Sequence, residues 1–203
     1  MNAHVHWKMF HDLQDALEKH PEVWNQSRTF WYLTLNAHNV TIIELLCRVF
    51  DQEKNSLHLL SWLKTIQSNI CIFDTTEFKL RLAGNPFVDS LAEESRSPNL
   101  ATLENDINIC SIADPLVNKL ITQRHNFVAH TSAKLAAKNK RLPTDFDLSE
   151  EELKILLDRA LTILNRYCQL FAAESYSVNM IGKDDFKFIF SSIKSAVELS
   201  RKK

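Results

Sequence analysis

PLVNKLITQRHNFVAH, residues 115–130, decides how the chain is read. On a helical wheel of about 100° per residue, Val117, Leu120, Ile121 and Val128 share one narrow sector, with Leu116 and Phe127 at its edge. Arg124 falls inside that sector. A guanidinium on an apolar stripe must be paired, must snorkel, or must face something other than core. Asp51 and Glu44 are the carboxylates within its choice. Pro115 is either a kink or the first turn of a new helix, and that helix is expected to end at or just past His130.

The same helical spacing recurs on both sides of this stretch. Val5, Met9, Leu13 and Leu17 predict a helix over 3–19, and Pro21 marks its break. A longer helix is expected over about 23–51, with Val40, Ile43, Leu46, Cys47 and Phe50 on one face of its second half. Arg48 and Asp51 are spaced to form a structural ion pair on its flank. Leu57, Leu60, Leu63 and Ile66 predict a helix over 55–70. A short helix at 74–83 should close on Gly84. Residues 84–99 read as a mobile loop with at most one helical turn, and helix resumes near Leu100. Ser149 and Glu152 fit a capping box ahead of a helix to about 173, striped by Leu153, Leu156, Leu157, Ala160, Leu164, Tyr167 and Phe171. A last helix at 184–200 aligns Phe186, Ile189, Phe190, Ile193 and Val197. Gly84 and Gly182 are the only glycines in 203 residues, too few for the turns of a sheet protein. The expectation is one all-α domain over 1–203, large enough to build a core without disulfides.

Several functions are set aside by composition. A formal net charge of −1 gives no bulk attraction to nucleic acid or membrane. The one locally basic stretch holds Lys134, Lys138, Lys140 and Arg141 and is read as a solvated loop. No apolar run is long enough to span a membrane, and the first residues lack the pattern of a signal peptide. Cys47, Cys71, Cys110 and Cys168 are scattered without a CxxC, which suits reduced core residues in a cytoplasmic protein. No HExxH, cysteine–histidine ladder or carboxylate cluster suggests a metal, and His4 and His6 are read as solvated. The glycine count leaves no phosphate-binding loop of the P-loop or Rossmann kind, so no cofactor is expected.

Residues Arg124 and His130 form a metal-free kit for phosphodiester chemistry. Histidine titrates near neutral pH and can move a proton to or from a ribose hydroxyl. Arginine offers a fixed fork of donors to a phosphate whose charge builds in the transition state. On an ideal helix His130 lies about 9 Å further along and about 240° around from Arg124, so one chain does not readily close both on a small ligand. Either the helix ends between them, or two copies bring both pairs to one cleft about a two-fold axis. His125 and Asn126 are further polar contacts, and Asn126 shares a face with His130.

RHNFVAH (124–130) resembles the Arg–polar–His motif of the HEPN superfamily, in which four to six residues separate the two ends. LLCRVFD (45–51), KNSLHLLSWL (54–63) and ITQRHNFVAHT (121–131) look like the AbiU-like branch, linked to abortive phage infection. The likeness runs over about 24–165, with 184–200 as an appended C-terminal helix. It implies an all-α up-and-down bundle that homodimerises with its motifs facing across the two-fold. It also implies a metal-independent endoribonuclease acting in phage defence or as a toxin. By the resemblance Arg124 binds the scissile phosphate, His130 is general acid/base, and His125 or Asn126 holds RNA or the histidine. The commoner AbiU-like form has an acidic residue and a lysine where this chain has His125 and Asn126. Two other functions stay open: a non-catalytic helical module that binds a nucleotide or protein, and the HEPN subunit of a toxin–antitoxin pair, with an antitoxin as partner.

Overall fold

A computed structural model describes residues 2–124, 148–179, 182 and 184–201. Ten α-helices, one 3-10 turn and no strand occur among the described residues, so the fold is all-α. They fall into two compact units, 1–45 with 177–203, and 46–176.

The first unit holds α1 (Asn2–Lys19), α2 (Pro21–Gln26), most of α3 (Arg28–Val49) and α10 (Phe186–Arg201). Its core is Leu13, Leu17, Val23, Trp31 and Phe190, with Met9, Leu35 and Ile193 packed against it. Two helices replace the single one expected from 23 to 51. Pro21 opens α2 rather than merely ending α1, and Ser27 leaves helical geometry at φ −149°, ψ 53°. No glycine or proline announces this break. It lets the Trp31 indole donate to the Val23 carbonyl at 3.2 Å, satisfying a buried N–H that a continuous helix would strand. His6, read as solvated, instead meets His38 across α1 and α3, Nδ1 to Nδ1 at 2.9 Å. Burial first, then the charge of His6, holds the His38 imidazole below its ordinary range. Val40 and Ile189, both expected on packed faces, are 40% and 49% exposed.

The second unit begins with the last turn of α3 and continues through α4 (Leu59–Ser68), a 3-10 turn (Ile70–Phe73), α5 (Thr75–Arg81), α6 (Val88–Leu91), α7 (Leu100–Ile109), α8 (Pro115–Gln123) and α9 (Glu150–Ala172). Standard caps start most of them. Asp74, Asn99 and Asp114 accept backbone N–H groups at the first turns of α5, α7 and α8. Ser149 and Glu152 form the expected capping box. α4 starts later than expected because His58 is its cap: the ring Nδ1 accepts from the Ser61 amide at 3.3 Å, and Nε2 lies 3.1 Å from the Glu53 carbonyl. Both contacts are met by the tautomer that carries its proton on Nε2. Leu57 therefore lies before the helix and is 89% exposed, whereas Leu60, Leu63 and Ile66 are buried.

α9 is the spine of this unit. Leu153, Leu156, Leu157, Ile163 and Tyr167 are buried, at about 1.5–3 kcal/mol each. That outweighs its exposed Lys154–Asp158 pair, worth about 0.3–0.5 kcal/mol. Arg159 donates to the Ile109 carbonyl at 2.7 Å and pairs with Asp114 at 3.0 Å, so one guanidinium serves the C-terminal end of α7 and the N-cap of α8. At the far end Arg81 donates to the Phe171 carbonyl and Arg96 to the Gln169 carbonyl. Arg96 is buried with its guanidinium over the Phe78 ring, which pins the 84–99 segment and its single helical turn. None of the four cysteines forms a disulfide. Cys47 and Cys110 are buried, but Cys71 is exposed and not a core residue.

Candidate functional site

Arg124 stands where α8 ends. Asp114 and Pro115 fix the start of that helix, and Val117, Leu120 and Ile121 bury its apolar face. Arg124 follows one turn later as the C-cap, its amide donating to the carbonyls of Leu120 and Ile121. The described part of the stripe is thus buried, and Arg124 closes it with 30% of its side chain exposed. Its Nη1 lies 3.9 Å from Oδ1 of Asp51, one of the two carboxylates read as candidates. That distance gives electrostatic attraction but no hydrogen bond.

The Asp51 carboxylate is held by a built loop. Phe50, fully buried, anchors the end of α3. Asp51 Oδ1 accepts from the amides of Gln52 at 2.8 Å and Glu53 at 3.3 Å, and Oδ2 accepts from the Ser56 hydroxyl at 3.0 Å. Gln52 clamps the loop to the end of α7, donating to the Cys110 carbonyl and accepting from the Ile112 amide, both at 3.2 Å. Partial burial raises the Asp51 pKa, but Ser56, the two amides and the Arg124 charge outweigh it and hold the carboxyl below its usual range. Asp51 therefore faces Arg124 rather than Arg48, and no ion pair joins Arg48 to Asp51. The i, i+3 argument needs both residues on the helix, and α3 stops at Val49 while Arg48 points to solvent.

On its other side, the end of α8 is tied to the start of α9. Lys119 pairs with Glu152 at 2.7 Å, and the Gln123 side-chain oxygen accepts from the Leu148 amide at 3.2 Å. Arg124 and Leu148, the residues flanking segment 125–147, thus belong to one small region. His125, Asn126 and His130, the end of the helix expected near His130, and the basic stretch 132–146 lie outside the described residues. The larger cavities described among these residues do not include Arg124: one of about 780 Å³ lies between α1 and α10, and another of about 570 Å³ between α4 and α7.

A second polar centre escaped the sequence reading. Asp106 on α7 is 2% exposed, pairs with Arg166 and accepts from the Tyr167 hydroxyl at 2.8 Å. Burial, then the Asp106 hydrogen bond and charge, pushes the Tyr167 phenol up. Leu103, Asp106 and Cys110 share one buried stripe, so the rule that singles out Arg124 also singles out Asp106.

The AbiU2 family model of the HEPN superfamily matches residues 2–189. The chain belongs to this family, and its all-α fold is of the HEPN type. The match reaches into α10, beyond the 24–165 carried by the quoted motifs. No curated protein and no solved structure matches the chain.

Proposed function

We propose that the chain is a metal-independent HEPN-type endoribonuclease acting in phage defence or as a toxin, with 1–203 as one domain. The observation that carries this reading is the state of Arg124: a part-exposed guanidinium whose carboxylate partner is fixed 3.9 Å away, leaving its donors for a phosphate. In the proposed reaction His130 takes the proton from a ribose 2′-hydroxyl, whose oxygen attacks the adjacent phosphorus. The 5′-oxygen leaves with a proton supplied by His130 acting in turn as general acid, giving a 2′,3′-cyclic phosphate and a 5′-hydroxyl. Arg124 bonds the phosphate oxygens as their charge grows. His125 and Asn126 hold the RNA or orient the histidine. Two copies place their motifs across a two-fold axis, which supplies the arginine–histidine convergence that one ideal helix lacks.

The Arg124–Asp51 pair also favours a second reading, a non-catalytic binding module in which the arginine closes the bundle. A toxin–antitoxin subunit is the masked form of the first reading. The test is total RNA incubated in EDTA with wild type, Arg124→Ala and His130→Ala, followed by analysis of the new ends. Cleavage by wild type alone, leaving cyclic phosphates, is expected. Folded wild type that cuts no RNA sinks the nuclease reading and leaves the binding module.

A further inference from the structure

His6 on α1 and His38 on α3 stand 32 positions apart in the chain and meet through their Nδ1 atoms at 2.9 Å. Their ring centroids are 5.0 Å apart with 53° between the planes, so the nitrogens approach and the faces do not stack. A nitrogen of a neutral imidazole either carries a proton or presents a lone pair, so this contact holds while one ring donates and the other accepts. Both rings keep part of their surface in solvent. The same two atoms are those with which histidine binds metals. An imidazole nitrogen sits about 2.0–2.1 Å from a divalent transition ion, so two of them in neighbouring positions at about 90° lie about 2.9 Å apart, and two at the tetrahedral angle about 3.3 Å. The observed 2.9 Å is the first of these spacings. Tetragonal and octahedral sites of nitrogen and oxygen suit Cu2+ and Ni2+.

We propose that His6 and His38 form a two-histidine site for a divalent ion of the copper–nickel kind, which clips α1 to α3. Both ligands stand on long helices, of 18 and 22 residues, so the backbone holds their spacing. Residues 29–43 of α3 contain no Lys or Arg to repel a cation, and on α1 Lys8 is paired with Asp12 at 3.0 Å. In the bound form each ring carries its proton on Nε2 and turns so that both Nδ1 lone pairs meet on the ion. Among the described residues no group of three His, Cys, Asp or Glu is placed to hold a metal, so water fills the remaining positions, which the part-exposed rings leave open. Such a site exchanges its ion with solution, unlike a structural zinc site closed by four protein ligands. The ion braces the first unit and has no part in the RNA chemistry proposed above, which runs in EDTA.

The test is thermal melting of the untagged full chain at about pH 7.5, where an ordinary imidazole is mostly neutral, for wild type, His6→Gln and His38→Gln. Each is melted alone, with NiCl2, and with NiCl2 followed by excess EDTA. An ion that binds only the folded chain raises the melting temperature, by about 5 °C or more at about 100 times its Kd. The expected result is that rise in wild type, its reversal by EDTA, and its loss in both variants. No rise in wild type, or a rise that survives either substitution, overturns the proposal. Where a variant does not fold, wild type labelled with nitrogen-15 decides. Sub-stoichiometric Cu2+ should broaden the amide signals around His6 and His38 together before any others, and broadening that begins elsewhere overturns the proposal.

Discussion

Arg124 and Asp106 are both polar side chains on apolar stripes, and their burial separates their roles. Asp106 is 2% exposed and answers Tyr167 and Arg166 together, so Asp106→Ala leaves the buried Tyr167 hydroxyl unmet while Arg166, over a third exposed, turns to solvent, and should cost about 1–3 kcal/mol. Arg124 is part-exposed at 3.9 Å from a carboxylate already bonded to Ser56 and two amides, so Arg124→Ala should cost under about 1 kcal/mol. Urea unfolding of both variants checks the contrast, and a large loss for Arg124→Ala would make it a structural residue. Asp51 carries a pH signature. Its carboxyl is lowered in the folded chain, so its contribution is complete above the ordinary carboxylate pKa of about 3.9 and is lost as the pH falls through the lower folded value. Asp51→Asn should therefore flatten part of the acid side of the stability profile, visible in melting temperatures as the pH falls below about 4. The arginine was legible in the sequence because it interrupts a stripe. Its partner was one of two guesses, because the loop that aims Asp51 depends on Gln52, Ser56 and contacts with α7 that no local pattern records.

Element starts were legible where the cap is a residue of standard type. Ser149 with Glu152 placed the start of α9 to within a residue or so, and Pro115, read as a kink or a first turn, is the first turn of α8, behind an Asp114 cap that the reading did not name. The cap of α4 is a histidine, outside the usual capping set, so apolar spacing alone began that helix too early at 55. Ser27 breaks the chain between α2 and α3 for a tertiary reason, the Trp31–Val23 contact, which periodicity does not contain. His58→Ala should cost about 1 kcal/mol as the cap is lost, and His58→Asn should recover most of it. Denaturation midpoints of the two variants measure this, and equal losses would mean that the ring packs rather than caps.

At the scale of the whole molecule, scarcity of glycine was enough to specify helix, but not which helices share a core. Phe190, near the end of the chain, joins Leu13 and Trp31 from its beginning, while 46–176 builds a separate unit. The cysteines report on that organisation. Cys71 is exposed, Cys110 is buried with its thiol pushed up to about 12, first by burial, and Cys47 is buried as well. N-ethylmaleimide followed by mass spectrometry should label Cys71 quickly, and Cys47 and Cys110 only at the rate at which the second unit opens. Equal labelling of all three in native buffer would contradict the packing of α7 and α8.

The hydrogen bond from the Leu148 amide to Gln123 has a consequence for how this protein can change. It makes the boundaries of 125–147 a fixed doorway in the scaffold. A linker set between Arg124 and Leu148 would close a loop whose ends the scaffold already holds, and doubling such a linker's length costs only about 0.6 kcal/mol more. A chain joined from Arg124 to Leu148 by a brief linker would keep the arginine and discard the histidine in one step.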